Sequence, residues 1–274
     1  MKDNSQNNLP ETKNLILERE RSVLKIWFNR VESRNALNAE MTNELVEVLD
    51  YAKDDSSLRT IVIRGKGDIF CAGGDIKDFK NTMQNTDIKS ASLNNRAFGN
   101  VMTKLNEQPQ VVIILVEGAA IGGGLGLACV SDITLVHRET KFRLSETSLG
   151  IPPAQIAPFV VQRIGITNAR YLMLTGAKFD GKKAFEIGLA HAVFEDSYQM
   201  EQRLADILSE INECAKNANA ATKKILLKAL CSPMTETLDF ASFEFANCML
   251  GDEGREGVSA FLEKRKPSWV ENDG

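Results

Sequence analysis

The sequence predicts an α/β chain with a helical C-terminal region. Three observations predict it. Short apolar, β-branched runs alternate with amphipathic stretches up to about Glu195, often as two strands per helix. A short strand that ends in glycines and opens into a helix occurs twice, at Gly73-Gly74 and at Gly122-Gly123-Gly124. From Ser197 onward the apolar residues recur at helical spacing, punctuated by Pro233 and Pro267.

Taken in order, the polar stretch MKDNSQNNLPETK (1–13) has no apolar segment of the kind a signal peptide needs, and is expected to be a flexible tail. Asn14 to Glu20 and Ser22 to Phe28 read as a hairpin around Arg19 to Arg21. Asn38 is a candidate N-cap, after which Met41, Leu45, Val48, Leu49 and Ala52 share one helical face. Thr60 to Arg64 is a strand. The loop Gly65 to Asp75 follows and runs into a helix, Asp75 to Met83. A further helix, roughly Leu93 to Asn106, should place Ala97, Val101 and Leu105 on one side, after a polar stretch Gln84 to Ser92.

Val111 to Val116 is a short, wholly apolar run and reads as a buried strand. Leu125 to Val130 can be a helix, and Ile133 to Val136 and Phe142 to Leu144 can be strands. Pro158 fits the first turn of a helix reaching Ile164. A second helix, capped by Thr167, ends near Thr175 at Gly176. Asp180 caps Lys182 to Ile187, closed by Gly188, and Ala190 to Phe194 is the last strand. The remainder reads as helices Tyr198 to Lys216, Ala220 to Leu230, Thr235 to Leu250 and Glu253 to Lys264. The organisation expected is a tail at 1–13, a core at 14–195 and a helical region at 196–269.

Composition narrows the function classes. The chain has 274 residues, 43% hydrophobic and 26% charged, in the ordinary range of a globular protein. A net charge of −4 argues against nucleic acid and anionic membranes as partners. No apolar run approaches the ~18 residues of a membrane span, so a cytoplasmic location is expected. Cys71, Cys129, Cys214, Cys231 and Cys248 are scattered and form no CxxC pair, which points away from a disulfide framework or a zinc site. No metal is expected.

The chemistry concentrates between Val111 and Gly150. A strand ending in glycines before a helix presents free N–H groups, which with the helix dipole favour negative charge. Two such turns can hold a developing oxyanion, an interaction worth roughly 3–4 kcal/mol per donor in a transition state. Glu146 is the one carboxylate between Gly118 and Gly150 set among apolar and small residues. If desolvated, it would have a raised pKa and could shuttle a proton. Asp132 precedes a strand and fits a cap or a pair, and Glu139 lies in the charged turn His137 to Thr140. Ser145 is in no GxSxG motif, and Gly122-Gly123-Gly124-Leu125-Gly126 does not fit the dinucleotide pattern GxGxxG. The C-terminal phenylalanines Phe240, Phe243 and Phe245 read as packing or interface residues.

Several stretches, in order, resemble the crotonase (enoyl-CoA hydratase/isomerase) superfamily. They are Asn29-Arg30 with Arg34-Asn35-Ala36-Leu37-Asn38; Phe70-Cys71-Ala72-Gly73-Gly74-Asp75-Ile76-Lys77; Gly118 with Gly122-Gly123-Gly124; Ser131-Asp132-Ile133; Ser145-Glu146 with Leu149-Gly150; and Phe261-Leu262-Glu263-Lys264-Arg265. The resemblance spans about 14–269. It implies a spiral of ββα units with a helical trimerisation region, assembled as a homotrimer or dimer of trimers. It also implies an acyl-CoA thioester substrate and no separate cofactor, since CoA is part of the substrate. By the same resemblance, the Gly74 and Gly123 N–H groups form an oxyanion hole. The backbone near Arg34, Ala36 and Ala72 holds the adenine end of CoA. Lys77, and Lys264 of a neighbouring subunit, meet its phosphates.

The chain departs from family hydratases at one catalytic position. They carry two acid/base glutamates, one in a GGGxE pattern; here that position is Gly126, and the other matches Glu146. After Glu146 a glycine-rich PGxGG is replaced by Pro153-Ala154-Gln155-Ile156-Ala157-Pro158. The combination resembles a branch acting on 3-substituted glutaconyl-CoA esters, the methylglutaconyl-CoA and isohexenylglutaconyl-CoA hydratases, with Ala154-Gln155-Ile156-Ala157 closer to the second. Gln155 is the candidate contact to the acyl group, whose pocket is expected to involve 84–98 and 151–161. An isomerase, for which one glutamate suffices, and a decarboxylase or thioesterase are the alternatives within the family.

Overall fold

The structure, a computed structural model, describes residues 9–85 and 87–271; residues 1–8 of the expected tail lie outside the described residues. The strands are β1 (Leu15–Glu20), β2 (Val23–Phe28), β3 (Thr60–Gly65), β4 (Val111–Val116), β5 (Ala119–Ile121), β6 (Ile133–His137), β7 (Lys141–Arg143), β8 (Lys178–Phe179) and β9 (Ala192–Phe194). The helices are α1 (Ala39–Asp54), α2 (Ile76–Asn85), α3 (Ile88–Asn106), α4 (Gly123–Val130), α5 (Ala157–Thr175), α6 (Gly181–Glu186), α7 (Ser197–Asn212), α8 (Lys216–Ala229), α9 (Met234–Leu250), α10 (Asp252–Glu263) and α11 (Ser268–Glu271).

β1 and β2 form the antiparallel hairpin; β3, β4, β6 and β9 add to it in parallel, in the order β1-β2-β3-β4-β6-β9. Because strand side chains alternate, each face of this sheet builds its own core. Ile61, Ile63, Val112, Ile114 and Val116 pack with α1, α3, α4 and α5. Val62, Ile113 and Leu115 point the other way, onto Met200, Leu204, Ile207 and Ile211 of α7. A wholly apolar β4 is thus what a strand covered on both sides requires. The α1 stripe read from the sequence is buried, and Asn38 caps the helix by accepting from Met41 N at 2.9 Å.

A smaller sheet, β5-β7-β8, sets up the site. Two isolated parallel bridges, Cys71 to Ala120 and Leu37 to Gly74, carry its pairing outward. Both glycine turns therefore emerge side by side from one layer. Neither β5 nor β8 carries a run long enough to be read as a strand; both are held by their pairing partners.

Two further elements differ from the sequence expectation. α3 begins at Ile88, because Asp87 caps it by accepting from Ser90 N at 2.7 Å. Ala97 is exposed, and the buried stripe is instead Gly99, Val101, Met102 and Leu105. The stretch read as one helix to Lys216 is broken at 213–215, where Ala215 is extended (φ −68°, ψ 130°) and α8 starts afresh. The two helices expected around Pro158 and Thr175 do form, separated by the non-helical Gly165 (φ 73°, ψ 158°) within α5.

At the N-terminal end, Leu9 packs on the core. The Lys13 and Asn14 N–H groups donate to the Glu44 carboxylate at 3.0 and 2.9 Å.

Candidate active site

The first glycine turn is fixed by the loop before α1. Asn35 is fully buried in the left-handed region (φ 55°). Its Oδ1 accepts from Arg30 N at 2.8 Å, and its Nδ2 donates to Lys66 O and Ile69 O at 2.9 and 2.7 Å. One amide thus ties 30–37 to 66–70. Ala72 N donates to Arg34 O at 3.0 Å, Leu37 N to Gly73 O at 2.7 Å, and Asp75 N to Leu37 O at 2.9 Å. The Arg30 guanidinium donates to Ala36 O and pairs with Asp75 at 3.0 Å. Burial alone would raise the Asp75 carboxyl; the Lys77 N–H and Arg30 outweigh it and hold it below its ordinary value. Asp75 is therefore a clamp that stays ionised, and Arg34, Ala36 and Ala72 are brought together around it.

The second turn abuts the first. A methyl on Gly73 (φ 93°) would lie 2.9 Å from Ile121 O, and one on Gly124 would lie 2.7 Å from Cys71 Cβ. Only glycines allow the two backbones this close. Among the described residues, neither the Gly74 N–H nor the Gly123 N–H has a hydrogen-bond partner. Gly123 opens α4, where an unpaired N–H at the positive end of the helix dipole is inherent.

Glu146 begins a short 3-10 turn, Glu146–Leu149, closed by Gly150 at φ 79°. Its carboxylate lies against the glycines: a Cβ on Gly122 would be 2.6 Å from Glu146 Oε1. Its Oε2 is buried and has no hydrogen-bond partner among the described residues. Burial pushes the carboxyl above its ordinary value, opposed by the nearby Glu146 and Ser145 N–H groups. A carboxylate short of partners beside two unpaired N–H donors is suited to moving a proton next to a developing oxyanion.

The wall beyond Glu146 is apolar. One turn along α4 from Gly122, a Cβ on Gly126 would meet Ile156 Cγ2 at 2.4 Å and Met102 Cε at 3.3 Å. The space a side chain at 126 would use is thus filled by Ile156, which is 3% exposed. A Cβ on Gly123 would lie 3.2 Å from Phe98 Cζ, and one on Gly99 would lie 2.1 Å from Gln155 Oε1. Gln155 is held onto α3 by its Nε2, which donates to Asn95 Oδ1 at 3.0 Å. Sequence reasoning singled out Gln155 and placed 84–98 and 151–161 at the acyl pocket, but not the Phe98–Gly123 or Ile156–Gly126 contacts. Only chain crossings far apart in sequence reveal these.

Lys77 is exposed on the first turn of α2, its N–H donating to Asp75 Oδ1 at 3.0 Å. Lys264 is exposed at the end of α10 in the left-handed region, and its capping bonds run to Ala260 and Phe261 within the helical region. His137 and His191 are engaged elsewhere, by Glu195 O and Thr134 N. Burial pushes the Cys71 thiol up to about 12, so the sulfur beside the first glycine turn is no nucleophile. Among the described residues, no cluster of His, Cys, Asp and Glu is arranged to hold a metal, and no helix is long and apolar enough to cross a membrane.

Paired backbone donors beside a desolvated carboxylate are the equipment of an enzyme that stabilises an enolate-like oxyanion while transferring a proton. The sequence pattern of the enoyl-CoA hydratase/isomerase family matches residues 18–272, and the chain belongs to that family. It is 30% identical to the short-chain-enoyl-CoA hydratase of Clostridium acetobutylicum, over 96% of this chain and 99% of that protein. Among solved structures, Pseudomonas aeruginosa AtuE superposes with a TM-score of 0.92 at 48% identity, covering 94% of this chain and all 100% of the other. An enoyl-CoA hydratase/isomerase from Marinobacter aquaeolei superposes with a TM-score of 0.90 at 42% identity, covering 94% and 99%. The expected crotonase-like α/β fold is the one observed.

Proposed function

We propose that the chain hydrates the double bond of a 3-substituted glutaconyl-CoA, with Glu146 as the single acid/base group. The observation that carries this reading is the buried, unpartnered Glu146 Oε2 beside Gly122 and Gly123, with Ile156 occupying the space at Gly126. The thioester oxygen binds at the Gly74 and Gly123 N–H groups, which stabilise the enolate. Glu146 takes a proton from water as its oxygen attacks C3, and returns a proton to C2. The π bond is replaced by one C–O and one C–H bond, and the sum is addition of water. A substrate carrying its own carboxylate supplies polarity that the apolar wall lacks. Arg34, Ala36 and Ala72 hold the adenine end of CoA, and Lys77 its phosphates, with Lys264 reaching them from a neighbouring subunit. The reading includes a cytoplasmic homotrimer or dimer of trimers. The exposed Phe243, Phe245, Phe261 and Leu262 of α9 and α10 supply apolar surface for it.

A lone carboxylate also suffices to move a double bond, which makes isomerisation the second reading. Incubation with a panel of enoyl-CoA and glutaconyl-CoA esters separates the two by product mass. Hydration adds one water, isomerisation leaves the mass unchanged, and loss of CO₂ marks a decarboxylase. Glu146→Gln should lower turnover by about 10²–10⁴-fold while retaining the fold. Near wild-type hydration by that variant rules the mechanism out.

A further inference from the structure

α3 carries three basic residues, Lys89, Arg96 and Lys104, and no acidic one between Ile88 and Asn106. Lys104 reaches Asp50 on α1. Arg96 makes no ion pair with any carboxylate among the described residues; its Nη1 donates to Asn100 Oδ1 at 2.6 Å. The guanidinium is nevertheless placed. A Cβ on Gly99 would lie 2.9 Å from Arg96 Nη1 and 2.1 Å from Gln155 Oε1, so the two groups converge on one point above the Gly99 Cα. Gln155 is in turn tied to Asn95 on the same helix. Close along each of these two segments, a neighbour turns to the site: Phe98 lies against Gly123, and Ile156 against Gly126. Arg96 and Gln155 are therefore the polar edge of the wall whose inner surface is Phe98, Ile156 and Met102.

We propose that Arg96 receives the second carboxylate of the substrate, the one remote from the thioester. This rests on the glutaconyl reading above and names the group that selects for it. A planar guanidinium matches a carboxylate with two parallel N–H donors, whereas its present partner is a neutral amide oxygen. The apolar wall leaves the anion no other cation among the residues that line it. Arg96 acts in binding and orientation; it takes no part in the proton transfer.

The test compares two thioesters of the same shape. One is 3-methylglutaconyl-CoA; the other is 3-methylpent-2-enoyl-CoA, in which a methyl replaces the remote carboxylate. The wild-type protein should favour the first in kcat/KM. Arg96→Gln should reduce that preference by about 10–100-fold, the range of a charge-assisted hydrogen bond, chiefly through KM. Arg96→Lys should restore part of it, because the charge returns without the fork. If the wild type shows the preference and Arg96→Gln keeps it, the assignment of Arg96 is overturned while the glutaconyl reading stands. If the wild type hydrates both esters equally, or only the neutral one, the glutaconyl reading fails and Arg96 with it.

Discussion

The contact between Ile156 and Gly126 makes a quantitative prediction. A methyl added at Gly126 would sit 2.4 Å from Ile156 Cγ2, 2.9 Å from its Cβ and 3.3 Å from Met102 Cε. Ile156 is β-branched and buried, so it cannot swing aside, and the overlap should cost about 1–3 kcal/mol. Replacing a helical glycine by alanine returns up to about 1 kcal/mol. Gly126→Ala should therefore destabilise by about 1–2 kcal/mol. Ile156→Ala removes three buried carbons and should cost about 2–4 kcal/mol. In the double variant the overlap is gone and the new methyl enters the vacated space. The double variant should thus be more stable than the sum of the singles by about 2 kcal/mol. Urea unfolding at one fixed protein concentration, followed by fluorescence of the two tryptophans, measures all four corners of the cycle. Additivity to within about 0.5 kcal/mol would refute the interlock. The physical reason for an apolar wall at this position would fall with it.

Two other outcomes are expected. The Glu146 carboxyl titrates higher in the folded chain than in the unfolded one, because it is desolvated. Its ionisation therefore favours unfolding, and wild-type stability should fall as pH rises from the ordinary glutamate range through the raised value. Glu146→Gln should lack that fall, so its melting temperature should gain on wild type across the window; a constant difference contradicts the desolvation. For Asn35→Ala, three hydrogen bonds to Arg30, Lys66 and Ile69 are lost at a left-handed backbone position. The loss should be about 2–4 kcal/mol, with a raised KM for the thioester as the first glycine turn loosens. Thermal melts and steady-state kinetics check both, and an unchanged KM separates the loop from CoA binding.

Much of the layout could be read from the sequence, because short-range periodicity carried it. β4 is a continuous apolar run since both its faces are covered, by α7 on one side and by α1, α3, α4 and α5 on the other. The α1 stripe, the Asn38 cap and the Gly176 terminus are likewise local signals that the structure honours. β5 and β8 gave no such signal: three-residue and two-residue strands have no period of their own and exist through their register with β7. The start of α3 was missed because Asp87 and Ser90 lie in a polar stretch, where a cap is the only local cue.

The sequence by itself determined the two glycine turns, the candidate carboxylate and the absence of a side chain at Gly126. Glycine identity and hydrophobic pattern are written in neighbouring residues. Only the tertiary structure decided that the Gly74 and Gly123 N–H groups stay unpaired, that Glu146 is desolvated against Gly122, and that Ile156 fills the gap at Gly126. Burial and missing partners belong to no single segment. They arise where chain stretches far apart in sequence, 71–75, 121–126 and 146–156, are pressed into one layer.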